Sequence, residues 1–153
     1  MILDSGNRTQ FETGAVRDMQ EGKGRCDLLP LDVVSELMFN DILSEVYNFQ
    51  CTSNDVHLRG ALLNFIESHP TWVTTPDMIL EVSKHFEEGA KKYGEWNWQN
   101  GIPVKSFINS AVRHYLKWNR GDTDEPHDLA FCWNIMCAIW TCKNKPELND
   151  YSL

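Results

Sequence analysis

Residues 129–142 read LAFCWNIMCAIWTC, with no charged side chain and Asn134 as the only amide. The run is too short for a membrane span, which needs roughly 20 apolar residues. A helix that is apolar on every side lies in a protein core or in an oligomer interface. The chain must therefore fold around this segment or pair through it.

The rest of the sequence supplies helices to do so. Leu31, Val34, Leu37, Met38, Ile42, Val46 and Phe49 recur at helical spacing and predict one helix over 31–49. A second spans 54–67 and stops at His69-Pro70, because the residue before proline avoids helical angles. Thr75-Pro76 has the form of an N-cap followed by proline at the first helical position, and Gly94 is a stop for that third helix. Pro103 opens a fourth, closed by Gly121, and a fifth begins near Glu125-Pro126. Residues 1–29 are polar and read as an extended arm or loop of the same domain, and 143–153 as a frayed tail. No strand-period segment stands out. The expected architecture is all-α, a compact bundle of about five helices over 30–142.

A chain of 153 residues with 42% hydrophobic content can bury one core. The five cysteines are odd in number and lack zinc spacing, which points to reduced, buried thiols. The N-terminus has no basic region followed by an apolar stretch, so a cytoplasmic location is expected. The net charge of −8 argues against a nucleic-acid polymer as partner. An acidic protein can still hold a polyphosphate if divalent cations lie between its carboxylates and the phosphates.

Three clusters could serve such a site. Glu87 and Glu88 precede Lys91, Lys92 and Tyr93, either as a solvated helix face or as a metal–phosphate site. Asp124, Glu125, His127 and Asp128 follow Asp122, and Glu125 and Asp128 share one side of a helical turn. Paired carboxylates there suit Mg²⁺, but acidic residues are also favoured at helix N-termini for their own sake. Arg113, Lys117 and Arg120 form one stripe, beside His114. Asn134 lies on the face of His127 and is either bonded within the fold or turned to read a base edge. Lys23 and Arg25, set among Gly22 and Gly24, make a basic loop or an ordinary turn.

Several strings, taken in order, carry more than any one of them: 13–18 TGAVRD, 22–25 GKGR, 27–30 DLLP, 88–94 EGAKKYG, Asn97-Trp98, 101–103 GIP, 110–114 SAVRH, Asp124-Glu125-x-His127 and Trp133-Asn134. The sequence resembles the bacteriophage dATP/dGTP diphosphohydrolases, the MazZ-like branch of the all-α MazG nucleotide pyrophosphohydrolases, over about 11–142. The resemblance implies hydrolysis of dGTP and dATP to monophosphate and pyrophosphate with Mg²⁺ or Mn²⁺. It also implies a homo-oligomer, and in some phages a supply of dGMP for 2-aminoadenine nucleotides. It assigns metal binding to Glu87, Glu88, Asp124, Glu125 and Asp128, with Glu88, Glu125 and Asp128 as the catalytic carboxylates. Phosphate, sugar and base would fall to Lys91, Lys92, Tyr93, Asn97, Trp98, Arg113, His114, Lys117 and Asn134, with Lys23 and Arg25. Lys91 stands where the broader MazG pattern has a third glutamate. Two rival readings remain. One is an HD-type phosphohydrolase built on His127-Asp128 with His85 or His114 and Asp150; the other is a non-catalytic helical assembly module.

Overall fold

The structure is a computed structural model that describes residues 6–152. The ends of the arm and tail, 1–5 and 153, lie outside the described residues. A short antiparallel hairpin, β1 (Arg8–Gln10) and β2 (Val16–Asp18), leads through a 3₁₀ turn at Cys26–Leu28 into six helices. These are α1 (Leu31–Met38), α2 (Ile42–Thr52), α3 (Val56–Ser68), α4 (Thr75–Tyr93), α5 (Val104–Arg120) and α6 (His127–Asn144). The all-α expectation holds, with the small hairpin as an addition.

The helix expected over 31–49 is two helices. Phe39 takes a left-handed conformation at φ 52°, and its N–H bonds back to Ser35 and Glu36. The Asn40 side chain then accepts from the N–H groups of Ile42 (3.2 Å) and Leu43 (3.4 Å) and starts α2. The apolar spacing runs on across the break, so periodicity alone conceals it. Asn40-Asp41 was the available signal, since these residues cap helices. The N-cap of α4 is Thr74, one residue earlier than expected, because Asp77 closes a capping box with it. Gly94 and Gly121 do end their helices, with φ 96° and 88°.

α6 explains its own composition. It packs against α5, α4 and α3, and Phe131, Cys132, Ile135, Cys137 and Ala138 are essentially inaccessible. Most of its perimeter is thus covered within one chain, while Leu129, Met136 and Ile139 stay half-buried. Phe65 of α3 is the hub beside it, meeting Phe131 at 4.6 Å, Tyr115 at 5.9 Å and Trp72 at 5.9 Å between ring centroids.

The described parts of the tail and arm pack down. Tyr151 meets Phe49 edge-on at 5.4 Å, and the Asp150 carboxylate accepts from the Lys105 N–H at 2.8 Å. The expected frayed tail is therefore an ordered strap across α2 and α5. The arm is ordered as well. Thr13 donates to the Gly101 carbonyl, and a side chain at Gly101 would put its Cβ 2.7 Å from Leu148 and 2.9 Å from Thr13. Glycine is required there because arm, loop and tail converge on one point. Among the described residues, no helix is long and apolar enough to cross a membrane.

Candidate active site

The hairpin, α4, α5, α6 and the 3₁₀ turn at Asn97–Asn100 enclose a cavity of about 700 Å³. α4 contributes Glu87 and Tyr93 to its wall, the following loop Asn97 and Trp98, and α5 Arg113, His114 and Lys117. Asp124 and Glu125 come from the loop before α6, Asn134 from α6 and Lys23 from the arm. Carboxylates, cations and aromatic rings that are distant in sequence share one space.

Five expected residues lie elsewhere. Asp128 accepts from His69 Nε2 at 2.9 Å and from its neighbour's N–H, Leu129, at 2.9 Å. His69 is stacked between Trp72 and Trp118, so this pair ties α3 to α6. Arg25 grips Asp27 through two bonds of 2.8 Å. Lys91 points into solvent and pairs with Glu87 at 3.5 Å, an exposed contact of small energetic weight. Lys92 lies over the Tyr93 ring, and Glu88 is half-buried outside the wall.

The acidic end of the cavity is organised by imidazoles. His127 is 1% exposed; its Nε2 is 2.7 Å from Asp124 Oδ1 and its Nδ1 is 2.9 Å from His114 Nδ1. The hydrogen bond from His127 holds the Asp124 carboxyl below its ordinary range. Burial, with the charges of His127 and Arg113, pushes His114 down to about 2, so it is neutral. With His127 Nε2–H donating to Asp124, the two Nδ1 atoms share one proton between the rings. His85, also in the wall, is pushed down to about 4, chiefly by burial.

These groups could hold a cation. His114, Glu125 and His127 each bring a donor atom within 4.8 Å of the others, and so do Asp122, Asp124 and His127. Carboxylate oxygens suit Mg²⁺, whereas the imidazole nitrogens also suit Mn²⁺.

The wall also carries aromatic rings. Trp98 meets Phe86 at 5.9 Å and Trp140 at 5.1 Å, and Phe86 meets Trp133 at 6.0 Å. Asn97 is spent on the fold: its Oδ1 accepts from the Val16 N–H (2.8 Å) and its Nδ2 donates to the Val16 carbonyl (2.6 Å). It pairs with β2 as another strand would and seals the hairpin over the cavity. Asn134 does not meet His127; it donates to the Ala130 carbonyl at 2.8 Å and accepts from Arg17 at 3.1 Å. The sequence reading gave Arg17 no role, although it stands in the 13–18 string, and placed His85 only in the rival HD set. For Arg17 the signal was the alternation of β2, which turns it inward on a strand too short to recognise by period.

The distant HD set is not assembled. Asp150 is held at the first turn of α5, at the opposite end of that helix from Lys117.

Comparison with known proteins gives a consistent direction. The sequence model of the family described as dATP/dGTP diphosphohydrolase, N-terminal, matches residues 62–151. A protein named dATP/dGTP diphosphohydrolase from Salmonella phage PMBT28 is 26% identical over 86 residues. That alignment covers 53% of this chain and 29% of the relative, so this chain corresponds to under a third of that protein's length. No solved structure matches.

Proposed function

The chain belongs to the dATP/dGTP diphosphohydrolase N-terminal family, and on that premise we propose that its cavity hydrolyses purine deoxynucleoside triphosphates to monophosphate and pyrophosphate. The observation that carries the reading is the composition of this cavity. Aromatic rings able to stack a base and carboxylates able to hold divalent cations line one space, with Arg113 and Lys117 in the same wall. The volume of about 700 Å³ is in the range of small-molecule sites.

Asp124 and Glu125, with Glu87 in the same wall, are the carboxylates offered to Mg²⁺ or Mn²⁺. When bound, such an ion polarises phosphoryl oxygens and makes a water more acidic. The chain's own part is to fix the geometry. His127 orients Asp124 and keeps its carboxylate ionised. Arg113 and Lys117 meet the negative charge that spreads over the phosphates as the α-phosphorus is attacked. Trp98, Phe86 and Trp133 exclude water from the base end. Asp128 lies outside the cavity wall, held by His69 and the Leu129 N–H, and this reading gives it no role. Both dGTP and dATP are substrates in this reading; the dGMP released would be available for 2-aminoadenine nucleotide synthesis where a phage uses it.

The test is the double variant Asp124→Asn with Glu125→Gln, assayed for dGTP turnover with Mg²⁺. Activity should fall by on the order of a hundredfold or more, and chelation should abolish it in the wild type. Turnover at the wild-type rate in the variant would sink the metal assignment.

A further inference from the structure

Arg17 enters the cavity from β2, outside the segment matched to the family. It is 9% exposed, and its hydrogen-bond partners among the described residues are neutral. Nη1 donates to Ser106 Oγ at 3.1 Å, and Nη2 donates to Ser110 Oγ at 3.0 Å and to Asn134 Oδ1 at 3.1 Å. A guanidinium carries five N–H donors, so these bonds do not exhaust it. Burial draws its pKa down to about 10.

Arg113 is in a similar position at 7% exposure. It donates to Gln20 Oε1 at 2.8 Å and to the Gly24 carbonyl at 2.9 Å, and its buried Nε has no hydrogen-bond partner. The carboxylates whose charge bears on these two residues are Asp18 for Arg17, and Asp27 and Glu125 for Arg113, none of them within ion-pair contact of either guanidinium. Asp18 and Asp27 are in contact with other cations. Asp18 has Arg8 at 3.6 Å and Lys23 at 3.3 Å, and Asp27 has Arg25 at 2.8 Å.

The two guanidiniums are also fixed relative to one another. Ser110 Oγ accepts from Arg17 and donates to Gln20 Oε1 at 3.1 Å, and that same oxygen accepts from Arg113. A continuous chain of bonds therefore holds two mutually repelling cations in one wall. Buried charge without a contact counterion is costly. A ligand that brings the missing anion removes the cost, and the planar guanidinium fork suits phosphoryl oxygens.

We propose that Arg17 and Arg113 form an anion subsite in the cavity wall that takes a phosphoryl group of the bound nucleotide. The inference rests on the nucleotide-hydrolase reading and adds to it a residue of the arm. Arg17 binds the phosphate directly, while Ser110 and Gln20 are positioning residues.

The experiment measures binding to the full chain by calorimetry with two probes: metal-free tripolyphosphate, which has the charge without the base, and deoxyguanosine, which has the base without the charge. Arg17→Gln should weaken tripolyphosphate roughly ten- to a hundredfold and leave deoxyguanosine unchanged. Should Arg17→Gln fail to fold, Arg113→Lys keeps the charge, loses the fork, and should weaken tripolyphosphate in the same sense. Equal tripolyphosphate affinity in a folded variant would overturn the subsite, as would a matching loss for deoxyguanosine, or a wild-type chain that does not bind tripolyphosphate. Tripolyphosphate binding by a wild-type chain that turns over no dGTP would support the subsite and count against the hydrolase reading.

Discussion

His85 shows how one buried side chain couples the cavity to pH. Its folded pKa of about 4 lies below the unfolded value of 6.5, because burial disfavours the imidazolium. Above pH 6.5 neither state holds the proton and the group is neutral to stability. Between pH 6.5 and about 4 the unfolded chain binds a proton that the folded chain refuses, so stability falls as pH falls. The loss from His85 amounts to up to roughly 3 kcal/mol. His114, depressed in the same direction, adds to it over the same window. Urea unfolding across this range should show a declining midpoint, with a shallower decline in His85→Asn. An unchanged slope in that variant would remove His85 from the account. At this scale the sequence was legible where a residue type is confined to one chemistry. Carboxylates and cations were assigned to a polyphosphate site, and about half of them line the cavity. Asp128 and Asn97 were not legible, since a carboxylate or an amide serves a fold as readily as a ligand. Only the partners, His69 and Val16, show which task it has.

Among the elements, the break between α1 and α2 carries a stored cost. Phe39 sits at φ 52° and is 95% exposed, so it adopts the left-handed conformation with no packing to offset it. Glycine takes that conformation without the steric penalty. Phe39→Gly should raise stability by about 1 kcal/mol, measured by chemical denaturation; a loss of that size would mean that the ring has a partner. The helix ends at Gly94 and Gly121 could be read from sequence because glycine is the residue such ends favour. The α1–α2 break could not be read that way, because phenylalanine is a poor candidate for this geometry. The hairpin was hidden for a different reason. Its strands have three residues each, too few to display a period, and they are held by Asn97 and Gly101 from the far side of the sequence.

For the molecule as a whole, α6 decides the arrangement. Three helices cover it, and two of them, α4 and α5, also form the cavity with the arm closing over the top. The core and the site are therefore built on the same central helix: one face carries Phe131 and Ile135, another Trp133 and Asn134. The all-α class was legible because an uninterrupted apolar run has few places to go. The ordering of arm and tail was not, because it depends on contacts across the full length of the chain, such as Lys105 with Asp150. The central claim, that this cavity cleaves between the α- and β-phosphates of a purine deoxynucleotide, is tested most directly by identifying the products of dGTP with Mg²⁺ by chromatography. The account predicts dGMP and pyrophosphate in equal amounts; deoxyguanosine with intact triphosphate, or no product from folded protein, would contradict it.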